Sequence, residues 1–181
     1  MRRFLVIFTL LSTLALAQTA TKKTTAKAAA PAATVVTPDK LQWGPAPPIF
    51  PSGAQFAVVT GNPAAAGPFV VRLKLPDGYR IMPHWHPTAE SVTVLSGEFR
   101  VAMGSKFDEN ALQPLPAHSV ASMPAHHNHY GMAKGETELQ INSTGPFKLV
   151  YVNPADDPSH GQAAPGKKGG STKKKSSAAT K

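Results

Sequence analysis

Residues 78–97 read GYRIMPHWHPTAESVTVLSG. His84 and His86 stand two apart, Glu90 follows four residues later, and a glycine closes each end. In a strand, residues i and i+2 face the same side, about 6–7 Å apart. His84 and His86 therefore project together, while Trp85 points to the opposite face, where core or interface packing is its expected role. Pro87 cannot donate to a sheet ladder, so the strand bends or ends there. The chain can then return Glu90, at the start of the next strand, to the same spot. Two imidazoles and a carboxylate on one face form a ligand set suited to Fe, Mn, Ni, Cu or Zn. A further donor is expected from PAHHNHYG (124–131), where His126, His127 and His129 crowd together. His127 and His129 share strand parity and His126 has the opposite one.

The sequence around this stretch is short-period, β-rich and punctuated by turns. Segments 54–60, 68–75, 79–86, 90–97, 98–104, 118–124, 127–133, 137–143 and 147–152 each fit a strand, and Gly, Pro, Asn or Asp separates many of them. The one helix-leaning piece is KFDENAL (106–112), and WGPAPPIFPSG (43–53) reads as an extended lead-in packed on the outside. Strands recurring this closely, with few helices, predict an all-β sandwich or barrel. Gln140 and Tyr151 are candidates to line its cavity, whereas His118 and His160 are expected at the surface.

The chain of 181 residues has room for one ordinary domain with tails. Its formal charge of +9 lies at the ends: Lys40 to His160 holds eight Lys/Arg against nine Asp/Glu, while residues 161–181 carry six lysines and no acid. A basic tail is not a basic binding face, so a nucleic-acid partner is not expected. Residues 18–39 are Ala/Thr/Lys-rich and residues 161–181 Gly/Ser/Lys-rich. Neither can bury enough apolar surface to offset ordering, so both are expected to be disordered, flanking a domain over 40–160 with its core in 50–153.

Arg2 and Arg3 precede the apolar run Phe4–Ala17, which ends in Ala15-Leu16-Ala17. That order of charged, apolar and small-x-small segments predicts a signal peptide over 1–17, cleaved before Gln18. The run is short for a hydrocarbon core, which takes about 20 apolar residues. A periplasmic or secreted product with no stable membrane anchor after cleavage is therefore expected. The absence of cysteine excludes thiolate catalysis, CxxC redox chemistry and Cys-based zinc sites. Any metal must be held by histidine and carboxylate.

The pattern G78-x5-H84-x-H86-x3-E90-x6-G97 resembles the first motif of the cupin superfamily, with every position and spacing filled. The second motif of that superfamily is roughly G-x5-P-x-G-x2-H-x3-N. Laying its proline on Pro124 puts its ligand on His129, but His118 and His126 stand at its glycines and Ala133 at its asparagine. Histidine tolerates left-handed backbone better than β-branched residues do, so a turn survives there. The resemblance covers about residues 50–153 and extends to small bacterial single-domain cupins. It implies a double-stranded β-helix, or jelly roll, with a divalent transition metal held by His84, His86, Glu90 and His129. His127 is the rival for the last position, and Glu90 has an alternative role in orienting a histidine. The resemblance also implies pairing as a homodimer.

Such a centre leaves one or two positions open for water, dioxygen or a chelating ligand. Two classes follow for a small-molecule site. One is a metal-dependent enzyme of dioxygenase or isomerase type. The other is a non-catalytic binding or sensing module with a structural metal.

Overall fold

The structure, a computed structural model, describes residues 33–160. The expected signal peptide, residues 18–32 of the expected linker and the basic tail 161–181 lie outside the described residues. Nine strands appear among those residues: β1 (Gly44–Pro45), β2 (Gln55–Thr60), β3 (Gly67–Leu75), β4 (Arg80–Trp85), β5 (Glu90–Met103), β6 (Gln113–Pro116), β7 (Val120–Met123), β8 (His129–Gly145) and β9 (Val150–Tyr151). Every pairing is antiparallel.

β5 and β8 organise the fold because they pair along almost their whole length, from Glu90↔Ser143 to Met103↔His129. The first half of β5 and the second half of β8 belong to one layer, in the order β1-β2-β3-β8-β5-β7. Their other halves belong to a second layer, β9-β4-β8-β5-β6. Two layers joined by shared, curled strands make the expected jelly roll.

Alternation in the sequence sets the inner faces. Phe69, Val71, Leu73 and Leu75 of β3 are buried, with half-buried Val70, Arg72 and Lys74 between them. In β5 the buried positions are Glu90, Val92 and Val94, then Phe99 and Ala102. Past the β5–β8 register shift between Val94 and Glu98 the inward parity changes to Phe99 and Val101, whereas Ala102 keeps the parity of Glu90. Leu73, Leu75, Val94 and Leu139 are fully buried between the layers. Each such side chain contributes roughly 1.5–3 kcal/mol of apolar burial.

Several expectations need correction. Segments 90–97 and 98–104 form one strand, as do most of 127–133 and 137–143, because the glycines at 97 and 135 bend the ladder without ending it. Gly97 (φ 76°) sits at the register shift opposite Gly135 (φ 70°). Buried Thr137 fastens the bend, its Oγ1 lying 3.1 Å from both the Glu98 and Gly135 carbonyls. The stretch 106–112 holds only a 3-10 turn, Glu109–Ala111. β6 was not expected from a segment containing Pro114 and Pro116; it pairs with β5 alone, and proline is tolerated at an edge. Of 147–152, only Val150–Tyr151 is strand. The lead-in is not wholly external: Phe50 enters the core, while the hydroxyls of Tyr79 and Tyr151 donate to the Pro51 and Ile49 carbonyls at 2.6 and 2.9 Å.

A Cβ at residue 97 would run into the Glu136 carbonyl and Thr137, whereas one at residue 135 meets nothing nearby. Gly135→Ala is therefore expected to cost only the left-handed backbone penalty of about 1–2 kcal/mol, and Gly97→Ala distinctly more. Equal losses by chemical denaturation would contradict this account of the bend.

Candidate metal centre

Each candidate ligand is placed by a different feature of the fold. His84, on β4, lies between His129 of β8 and Tyr151 of β9 in the register. His86 follows the last residue of β4, and its carbonyl accepts from His126 N at 2.8 Å. The chain turns at Pro87 and re-enters the sheet at Glu90, the first residue of β5. His129 opens β8.

All four side chains are buried, each at 5 % exposure or less. One ligand atom from each lies within 4.8 Å of the others. This span is close to that of one ion with N and O ligands about 2.0–2.2 Å away. The ring centroids of His84 and His129 are 4.3 Å apart, and those of His84 and His86 are 4.9 Å apart.

The outer nitrogens fix the chemistry of the inner ones. His84 Nδ1 lies 2.7 Å from the Met82 carbonyl, His86 Nδ1 2.7 Å from the Lys148 carbonyl, and His129 Nδ1 2.9 Å from the His127 carbonyl. A carbonyl only accepts, so each Nδ1 carries the hydrogen and donates it. In a neutral ring, Nε2 is then a lone pair aimed inward. Glu90 Oε1, itself an acceptor, lies 3.1 Å from His129 Nε2 and 3.4 Å from His86 Nε2. Acceptors facing one another at this distance in a buried site need a cation between them, either a proton or a metal ion. The cluster is suited to a metal ion on this ground.

The structure places the neighbouring histidines away from the cluster. His127 is exposed and its Nδ1 turns to the Ala125 carbonyl at 3.1 Å; it serves the cluster only through its backbone carbonyl. Parity left His127 and His129 equivalent, whereas β8 begins at His129 and residue 127 precedes the strand. His126 is exposed, its ring 5.0 Å from that of Trp85 on the opposite face from the cluster. His126 and His118 both adopt left-handed backbone, with φ 61° and 72°, at the two positions where the motif has glycine. Ala133 is fully buried in the core and exchanges backbone hydrogen bonds with Gly78 and Tyr79. His118 and His160 lie at the surface, as expected.

The four residues line a cavity of about 30 Å³, walled otherwise by Tyr130 and apolar groups such as Leu73, Val92, Phe99 and Phe147. A water needs about 10–15 Å³ by a comparable measure, so there is room for one or two. Gln140 does not line it; its Oε1 accepts from Arg72 Nε at 3.2 Å. Tyr151 packs 6.1 Å from the His84 ring but outside the lining. Phe147, stacked on His86 at 4.4 Å and 22°, had no sequence signal marking it, since it lies in a loop before β9.

Burial, then the neighbouring His129 and His86, pushes His84 down from the ordinary histidine value to about 3. Burial also works against an ionised Glu90, but where a proton is the bridging cation the hydrogen bonds from His129 and His86 outweigh it and hold that carboxyl at about 2. Each group thus binds protons less readily folded than unfolded. The His84 contribution is complete above about pH 6.5 and is lost as pH falls towards 3; that of Glu90 is lost on further acidification. Metal-free protein is therefore expected to lose stability from pH 6.5 to 4, with His84 contributing a slope of up to about 1.4 kcal/mol per pH unit. A melting temperature that stays level or rises over that range would contradict the assignment.

Residues 31–112 match the family described as the ChrR cupin-like domain, a span that holds His84, His86 and Glu90 and ends before His129. No curated protein matches the chain in sequence. Among solved structures, the polyketide cyclase RemF from Streptomyces resistomycificus is 13 % identical, covering 71 % of this chain and 92 % of its own, with a TM-score of 0.58. A candidate acetylacetone dioxygenase from Methylibium petroleiphilum PM1 is 19 % identical, covering 72 % and 88 %, with a TM-score of 0.57. KdgF from a Halomonas species is 20 % identical, covering 63 % and 96 %, with a TM-score of 0.50. At these identities the likenesses speak for the fold. Residues 31–112 are thus similar to the ChrR cupin-like domain, and the fold is that of the cupin structures.

Proposed function

We propose that this is an exported, metal-dependent enzyme acting on a small, largely apolar molecule, of dioxygenase rather than sugar-isomerase type. The observation that carries the reading is the convergence of three histidine Nε2 atoms and one carboxylate inside apolar walls. A divalent transition metal held by His84, His86, Glu90 and His129 would supply Lewis acidity and, for iron or manganese, redox chemistry towards dioxygen.

The chain's own groups then have defined work. The carbonyls of Met82, Lys148 and His127 fix the tautomer and direction of each ring, as partners behind metal ligands do. Among the described residues Glu90 is the sole carboxylate lining the cavity, and it is the group placed to accept a proton from a bound substrate. The apolar walls exclude bulk water and leave a polyhydroxylated ligand without partners. Tyr130 offers no free donor, because its hydroxyl already donates to the Asp108 carbonyl at 3.2 Å. The small free volume favours a second reading, a non-catalytic module with a structural metal. Export rests on Arg2, Arg3 and the apolar run that ends in Ala15-Leu16-Ala17.

Purification from an exported fraction without added metal tests these readings together. The expected product begins at Gln18 and carries near-stoichiometric iron or manganese. His129→Ala is expected to retain less than a tenth of that metal and His127→Ala nearly all of it. A stable, metal-free wild type would contradict the enzyme reading. So would zinc without an exchangeable water, and a chain still carrying residues 1–17 would contradict export.

A further inference from the structure

A second recess lies against the first. It has a volume of about 210 Å³, and all of its lining residues are apolar. Four of them, Phe50, Ile141, Phe147 and Leu149, also line the cavity of the histidine cluster. The recess reaches the surface at exposed Pro47 and Ala64. Only side-chain thickness separates a wide apolar antechamber from a narrow cavity lined by the candidate metal ligands.

Phe147 stands in that partition. One face of its ring stacks on His86 at 4.4 Å, and its edge meets Phe69, a wall of the recess, at 5.2 Å. It is half-buried and lies between β8 and β9 in a stretch outside any strand, tied by Phe147 N donating to the Pro63 carbonyl at 2.7 Å. The next residue, Lys148, supplies the carbonyl that accepts from His86 Nδ1. One short segment therefore both closes the recess and sets the direction of a candidate ligand.

We propose that the recess is a binding subsite for the hydrocarbon body of a small neutral ligand, and that Phe147 is the movable partition joining it to the metal centre. This rests on the small-molecule reading above and specifies its substrate class. The occupant is neutral because, among the described residues, nothing in the lining carries charge or donates a side-chain hydrogen bond. Its size follows from the volume: an apolar cavity of about 150 Å³ accepts benzene, so this recess takes one ring with a short substituent. An oxygen donor on that substituent would reach the histidines once Phe147 swings aside.

Toluene and naphthalene are suitable probes, titrated calorimetrically into the full chain. Toluene is expected to bind metal-free wild type, and Ala64→Phe, at the exposed mouth, is expected to weaken it at least tenfold. Phe147→Ala merges the two spaces and is expected to tighten naphthalene at least tenfold. Phe147→Leu gives a smaller gain in the same direction and serves if the alanine variant does not fold. In cobalt(II)-loaded wild type, toluene is expected to shift the visible bands through Phe147 and the Lys148–His86 contact. No toluene binding, binding indifferent to Ala64→Phe, or naphthalene affinity unchanged in both Phe147 variants would overturn the subsite. Cobalt bands unmoved by saturating toluene would overturn the partition. Failure to take up cobalt at all would instead count against the metal reading, and the toluene and naphthalene titrations would still decide the subsite.

Discussion

Three imidazole nitrogens and a carboxylate oxygen point at one another from inside an apolar shell, and each histidine has already committed its only hydrogen to a backbone carbonyl. In water such an arrangement would rotate apart. Here the backbone forbids it, since Met82, Lys148 and His127 hold the rings at 2.7–2.9 Å and the strands hold those carbonyls. Burial removes the solvent that would otherwise separate like-polarity atoms, so the cluster depends on a cation. Much of the surrounding structure serves to keep that demand in place.

The fold meets it by bringing distant chain segments to one point. β4 and β8 set His84 opposite His129, the turn at Pro87 returns Glu90, and the loop before β9 delivers the Lys148 carbonyl to His86. The curl of β5 and β8 closes two layers around the site, and it turns on a glycine that no larger residue can replace without collision at Glu136 and Thr137. The same loop that orients His86 carries Phe147, so the histidine cluster and the apolar recess share a wall.

Much of the site was legible because its spacing is local. His84 and His86 share a face by strand parity, and Pro87 explains why Glu90 returns. The substitution of two motif glycines by His118 and His126 did not disturb the turns, since both histidines take the left-handed backbone that the motif requires. Parity alone left His127 and His129 equivalent, because it does not reveal where a strand begins. Strand breaks were assigned at Gly97 and Gly135 because glycine marks both turns and bulges, and only pairing across the ladder separates the two. The backbone carbonyls behind the rings and the packing of Phe147 on His86 leave no mark on side-chain pattern. Edge strand β6 was hidden by its prolines, which disqualify a central strand but not an edge.

The central claim is that one metal ion resolves the convergence of His84, His86, Glu90 and His129. X-ray absorption at the edge of the metal that copurifies with the chain tests it most directly. The account predicts nitrogen and oxygen neighbours at about 2.0–2.2 Å with outer-shell scattering from three imidazoles, unchanged in His127→Ala. A metal with no imidazole scattering, or one that loses an imidazole in His127→Ala, would contradict it.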